Sequence, residues 1–204
     1  MRQAAELAEL LQTAVRDERV LTAIASIPRE RFMPLDQRHR AYQNVALPIS
    51  CGQTISQPLV VARMLERLAL DPADRVLDVG TGSGYHAALL AVLAGRVWTI
   101  ERHGELSAQA QRTITALGLD NITFAVGDGS LGLPAEAPFD AINVAAATGE
   151  GVLAVLEGQL ALGGRLVAPV GGSDQHLVLS RRTAAGPERV ELEPVRFVPL
   201  VSDA

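Results

Sequence analysis

The chain has 204 residues, 48% of them hydrophobic and 20% charged, which is the composition of one globular domain with a sizeable core rather than of a disordered chain. A net charge of −5 and a pI of about 5.4 argue against a nucleic-acid or membrane-surface partner. Cys51 is the single cysteine, so no intrachain disulfide or cysteine-cluster metal site can form, and the usage fits a reducing cytoplasm.

Residues 1–11 carry Arg2, Glu6 and Glu9 and no long apolar run, so neither a secretory leader nor a membrane span is expected. Leu7, Leu10, Leu11 and Val15 recur at helical spacing and predict a helix over 3–16. A second helix is predicted from about Asp17, carrying Val20, Leu21, Ile24 and Ile27 until Pro28 stops it. Residues 28–34 read as a proline-bounded turn, and Arg31, Arg38, His39 and Arg40 as a solvated basic face. The four histidines (His39, His86, His103, His176) show no metal-binding spacing and read as surface or supporting residues.

Residues 41–58 are the least ordinary stretch. Periodicity is poor, turn residues are frequent, and small polar side chains cluster. Two readings stand side by side here. One is a functional loop leading into a helix. The other is a capping loop, with Ser56 as N-cap and Pro58 in the first turn. The following helix is predicted over 59–68, with Val60, Val61, Met64, Leu65 and Leu68 inward.

From residue 74 strands and helices alternate. Strands are predicted over 75–79, 96–100, 121–126, 140–144 and 165–170. Helices are predicted over 86–93, 106–117 and about 151–161, with turns at Gly118 and Gly163-Gly164. Residues 176–181 and 189–198 read as an antiparallel pair. Such alternation builds a mostly parallel sheet whose ligand crevice lies at the strands' carboxyl ends.

The first strand ends in Asp78-Val79-Gly80-Thr81-Gly82-Ser83-Gly84-Tyr85. A glycine turn between strand and helix lets backbone N–H groups approach a ligand, although an ordinary tight turn has the same look. Tyr85 stands where a dinucleotide fingerprint wants its third glycine, and a carboxylate at Asp78 would repel a pyrophosphate. It would suit a ligand with an ammonium group, such as S-adenosylmethionine. Asp78, Glu101 and Asp128 each follow a predicted strand, so the sequence places three acids on one rim of the sheet. Glu101 lies at the distance from the turn where an acid accepts hydrogen bonds from ribose hydroxyls, and Asp128 is placed for an adenine amino group.

Nearly the full length resembles the protein-L-isoaspartate (D-aspartate) O-methyltransferases. The resemblance rests on Ile27-Pro28-Arg29-Glu30-Arg31-Phe32, Ala46-Leu47-Pro48-Ile49, Gly52-Gln53-Thr54-Ile55-Ser56-Gln57-Pro58, residues 80–85, Gly127-Asp128-Gly129, Ala137-Pro138-Phe139-Asp140, Gly163-Gly164-Arg165-Leu166-Val167 and Val195-Arg196-Phe197-Val198-Pro199-Leu200, in family order. It implies a Rossmann-like class I fold with a seven-stranded, mostly parallel sheet, a C-terminal antiparallel hairpin and helices on both faces. One domain is expected: residues 1–58 as N-terminal helices and site loop, 59–170 as cofactor-binding core, and 171–204 as antiparallel strands and substrate-side segment.

The implied activity moves a methyl group from S-adenosyl-L-methionine to the α-carboxylate of L-isoaspartyl residues in damaged proteins. The ester then closes to a succinimide, which opens partly to aspartate. Ser56 is the implied active-site residue. The implied cofactor contacts are Gln53, Thr54, Ile55, Ser56, Asp78, Gly80, Thr81, Gly82, Ser83, Gly84, Glu101, Arg102, Asp128 and Gly129. Ser56 and Val198 would meet the substrate. A monomer in the cytoplasm is expected, with damaged proteins or peptides as partners. An α-carboxylate of pKa near ~3.5 is ionised at neutral pH, and the methyl donor is a sulfonium, so neither a strong base nor a metal is required. Departures from the family pattern occur at Ser50, Cys51, Ser130, Leu133, Ala145, Thr148 and Gly149. Two other readings share these residues: a methyltransferase dedicated to one aspartate-bearing peptide partner, and a cofactor-binding module without turnover.

Overall fold

A computed structural model describes residues 2–202. Helices α1 (Arg2–Leu11) and α2 (Glu18–Ser26) open the chain, and Asp17 caps α2 by accepting from the Arg19 N–H. Predicted helix one is thus shorter than its periodicity suggested, because Val15 is buried from a loop. Two 3₁₀ turns, Arg29–Phe32 and Leu35–Arg40, replace the predicted proline-bounded turn and carry the basic residues.

The site loop folds into a minimal hairpin, β1 (Leu47–Pro48) against β2 (Thr54–Ile55), joined by a 3₁₀ turn at Ser50–Gly52. Strands this short leave no alternation to read, which is why the sequence showed only a loop. Helix α3 (Pro58–Leu68) follows. Then come β3 (Arg75–Val79), α4 (Tyr85–Leu93), β4 (Arg96–Glu101), α5 (Gly104–Thr115), β5 (Ile122–Val126), β6 (Phe139–Val144), α6 (Glu150–Glu157), β7 (Leu160–Gly171), β8 (Gln175–Thr183) and β9 (Gly186–Val195).

Seven strands form one sheet in the order β5-β4-β3-β6-β7-β8-β9. The five strands from β5 to β7 are parallel, and β8 and β9 close the far edge antiparallel. Strand order reverses at β3, and the switch point, where open α/β sheets bind ligands, lies between β3 and β6. The two faces separate by alternation. Leu77, Val79, Trp98, Ile100, Ile142 and Val144 pack with Leu153 and Leu156 of α6. Val76, Val97 and Ala141 face the opposite way, into the cluster built by α1, α2, α3 and α4.

One predicted turn is not a turn. Gly163 and Gly164 lie inside β7, where pairing with β6 shifts register between Phe139 and Ala141. Gly163 has φ +81°, and a Cβ on Gly164 would stand 2.8 Å from the Ala161 carbonyl oxygen. The pair marks a bulge that lets one strand run on from α6 to the sheet's upper rim.

Candidate cofactor and substrate site

Three of the glycines in the β3–α4 turn have positive φ: +91° at Gly80, +50° at Gly82 and +88° at Gly84. They serve different ends. A Cβ on Gly80 would have only ordinary contacts, the nearest Ala145 Cβ at 3.7 Å, whereas one on Gly84 would lie 2.7 Å from Ala110 Cβ. Gly80 and Gly82 therefore shape an open cradle, and Gly84 lets α4 pack against α5. The Gly80 N–H donates to the Ile100 carbonyl at 2.9 Å, tying the turn to β4.

Glu101 is the last residue of β4 and is 7% exposed. Oε2 accepts from the Gly82 N–H at 2.9 Å and Oε1 from the His103 N–H at 3.0 Å. Each oxygen keeps capacity to accept a further hydrogen bond, and the residue lines the cleft. A carboxylate held in this way suits vicinal hydroxyl donors, as on a ribose, and repels a phosphate.

The loop that carries Ser56 is held from below. Arg29 is fully buried, and its guanidinium donates to the carbonyls of Ala41, Val45 and Ser56. It also lies over the Tyr85 ring, 5.7 Å from the centroid. Burial pushes this guanidinium down to about 10, which still leaves it charged at neutral pH. The capping reading of Ser56 does not hold. Gln57 is the N-cap residue of α3, and the Leu59 N–H is met at 3.0 Å by Asn44 Oδ1 from across the loop.

The C-terminal segment completes the wall. The Ala147 N–H donates to the Val198 carbonyl at 2.8 Å, and the Leu200 N–H to the Ala147 carbonyl at 2.7 Å. Gln175 clamps Phe197 through both N–H and carbonyl. Arg102 Nη1 donates to the Val201 carbonyl at 2.9 Å, which links this segment to the end of β4.

These pieces enclose a solvent-open cleft of about 800 Å³. Of the sequence-predicted residues, Gln53, Thr54, Ile55, Ser56, Gly80, Thr81, Gly82, Ser83, Glu101, Arg102, Gly129 and Val198 line it. A second groove, lined by Ala46, Gln57, Val60 and residues 194–198, meets the cleft at Thr54, Ser56, Ala145 and Val198.

Three predicted residues do not line the cleft. Gly84 is the packing glycine described above. Asp128 accepts from the Ser130 N–H at 2.9 Å and shapes the 3₁₀ turn that presents Gly129. Asp78 departs most from expectation. It is the penultimate residue of β3, and alternation turns it onto the α4 face rather than out of the strand end. There it is fully buried between its register partners, accepting from Thr99 Oγ1 at 2.8 Å and Asn143 Nδ2 at 2.7 Å. Burial pushes its carboxyl up to about 7, with Glu101 adding to the shift and the two hydrogen bonds opposing it. The three-acid rim is thus one acid at the cleft, one beneath it and one bracing a turn.

Ala146 and Val201 line the cleft without having been singled out, and His86 and His103 line it although they were given no contact there. His86 is buried, which fits the supporting alternative of its reading and not the surface one. Its place directly after the glycine turn was the available signal.

The chain matches the family described as protein-L-isoaspartate(D-aspartate) O-methyltransferase over residues 2–204. It is 52% identical over 196 residues to the protein-L-isoaspartate O-methyltransferase of Koribacter versatilis, covering 96% of this chain and 88% of that one. It is 50% identical over 195 residues to that of Erwinia tasmaniensis, covering 96% and 93%. A solved structure from Plasmodium falciparum, named for the same activity and bound to S-adenosyl-L-homocysteine, superposes with a TM-score of 0.85 at 26% identity over 97% of this chain and 98% of that one. With a glycine cradle, a strand-end acid and a strapped Ser56 loop arranged in one cleft, and with these matches running the length of the sequence, the chain belongs to the protein-L-isoaspartate(D-aspartate) O-methyltransferase family.

Proposed function

We propose that this chain methylates the free α-carboxylate of L-isoaspartyl residues in damaged proteins and peptides, using S-adenosyl-L-methionine. The observation that carries the reading is the junction of cleft and groove at Thr54, Ser56, Ala145 and Val198. One compartment suits a nucleoside, the other an extended chain, and they share the hydroxyl residues Thr54 and Ser56.

The residues present fit the cofactor. The Gly80–Gly82 backbone leaves room for it, Glu101 would hold its ribose, Gly129 would border the base and Gln53–Ser56 would cover it, while Asp128 braces the turn beneath. When bound, it supplies a methyl group on a sulfonium that leaves as a neutral thioether. Everything else falls to the protein. The substrate carboxylate arrives ionised, so the site needs to orient and partly dry it rather than deprotonate it. Ser56 donates a hydrogen bond from its hydroxyl to one carboxylate oxygen, leaving the other free to take the methyl. The segment around Val198, pinned by Ala147 and Gln175, holds the peptide backbone.

Transfer of labelled methyl to an isoaspartyl peptide, with the matching aspartyl peptide as control, tests the reading. Labelling confined to the isoaspartyl peptide is expected; equal labelling of both, or none, would overturn it. Ser56→Ala should lower turnover about 10-fold or more with S-adenosyl-L-homocysteine affinity kept, as loss of one oriented donor predicts. Lost cofactor affinity with normal turnover of the bound complex would remove Ser56 from this role.

The reading extends to a monomer, since both compartments are built from one chain, and to a place in the cytoplasm, which the single cysteine fits. Light scattering on the purified protein checks the first point. No helix among the described residues is long and apolar enough to cross a membrane.

A further inference from the structure

His86 is the second residue of α4 and points to the sheet, where its Nδ1 lies 3.3 Å from Asn143 Nδ2. The same amide nitrogen donates to Asp78 Oδ1 at 2.7 Å. An amide nitrogen has two hydrogens and accepts nothing, so Asn143 donates to His86 as well. Nδ1 is therefore the acceptor, and the imidazole proton sits on Nε2. Burial holds the ring neutral, with its pKa pushed down to about 3. The residue is 6% exposed, Nε2 itself is buried, and among the described residues Nε2 has no hydrogen-bond partner. A buried donor of this kind, in a residue that lines a ligand cleft, is complementary to an acceptor on the ligand.

Position narrows which acceptor. His86 lines the cleft but not the adjoining peptide groove. Its partner Asn143 is on β6, whereas Glu101 ends β4, and β3 with the glycine turn lies between them. If Glu101 takes the ribose, the β6 side takes the amino-acid end of the same molecule. At that end the ammonium can only donate, and the carboxylate can only accept.

We propose that His86, held by Asn143 as a neutral Nε2–H donor, binds the carboxylate of the cofactor's amino-acid end. The Thr99–Asp78–Asn143 row across three strands then becomes the support of a binding residue, which gives the buried acid a role away from the cleft. The proposal rests on the cofactor reading above.

Two ligands separate the outcomes: S-adenosyl-L-homocysteine, and 5′-methylthioadenosine, which keeps the nucleoside and thioether but lacks the amino-acid end. By calorimetry, His86→Phe should weaken S-adenosyl-L-homocysteine by about 10-fold or more, as for a lost hydrogen bond to a charged group, and leave 5′-methylthioadenosine unchanged. His86→Gln, which keeps an N–H donor, should recover most of the loss. Equal weakening of both ligands, or of neither, overturns the proposal. If the wild-type protein fails to bind S-adenosyl-L-homocysteine, the cofactor reading itself falls. Nitrogen-15 NMR of the wild-type imidazoles needs no variant: His86 should show the Nε2–H tautomer, with its N–H signal moved by S-adenosyl-L-homocysteine and not by 5′-methylthioadenosine. An Nδ1–H tautomer, or a signal that neither ligand or both ligands move alike, overturns it as well.

Discussion

Asp78 and His86 share Asn143 and are shifted in opposite directions by the same cause. Burial raises Asp78 to about 7 from 3.8, so the folded state holds a proton that the unfolded state releases between those values. Its contribution to stability is present at low pH and lost as pH rises through about 7. Burial lowers His86 to about 3 from 6.5, so here the unfolded state binds the extra proton. That contribution is present above about 6.5 and lost as pH falls. Between about pH 4 and 6.5 the two slopes oppose each other. Thermal melts of single variants should unmask them. Relative to wild type, His86→Phe should gain as pH falls from about 7 to 5, by about 2 kcal/mol for a span of 1.5 pH units below the unfolded pKa. Asp78→Asn should gain in the other direction, as pH rises from about 5 to 8. Melting curves that stay parallel to wild type across this range would remove both assignments. Neither group's environment could be read from spacing, because the burial that shifts both is built by strands and helices distant in sequence.

The elements that matter most for chemistry are the least regular ones. The Ser56 loop owes its shape to Arg29, whose guanidinium meets three loop carbonyls from within the core. Arg29→Met would leave those carbonyls without their donor, at a cost of about 1–3 kcal/mol each where they stay buried. The expected result is a lower melting temperature and a fall of about 10-fold or more in kcat/KM for the peptide, with a smaller change in S-adenosyl-L-homocysteine affinity, since the glycine turn and Glu101 are untouched. Arg29→Lys should not restore activity, because one ammonium cannot reproduce a planar fork. Wild-type kcat/KM in folded Arg29→Met would show that the loop holds itself. At the glycine turn, Gly84→Ala combines a left-handed backbone with a Cβ only 2.7 Å from Ala110 Cβ. A loss of about 2–4 kcal/mol is expected, measured by urea unfolding. The strand–turn–helix pattern announced this turn, but which glycine faces a ligand and which faces a helix depends on α5.

At the scale of the whole molecule, the antiparallel edge is joined to the parallel core by ion pairs distant from the site. Arg189 on β9 bonds Glu157 of α6 at 2.7 Å through both Nε and Nη2, and Ser180 on β8 donates to the same carboxylate at 2.5 Å. Those bonds hold Glu157 below the usual carboxylate range although burial pushes the other way. Arg189→Ala should cost about 1–3 kcal/mol in a thermal melt, with methyl transfer unchanged at room temperature; reduced transfer would mean that the edge also shapes the groove. The sequence alone determined the order of strands and helices from β3 onward, the glycine turn, the acid at the end of β4 and the family. Each of these is a local signal: period-two alternation, a breaker, a residue at a strand end, or a contiguous motif. The tertiary structure decided what each polar residue faces. It turned Asp78 inward, made Gly163-Gly164 a bulge and set Asn44 rather than Ser56 against the start of α3. Direction is decided by neighbouring strands and helices far away in the chain, and no local pattern encodes which of them will be adjacent.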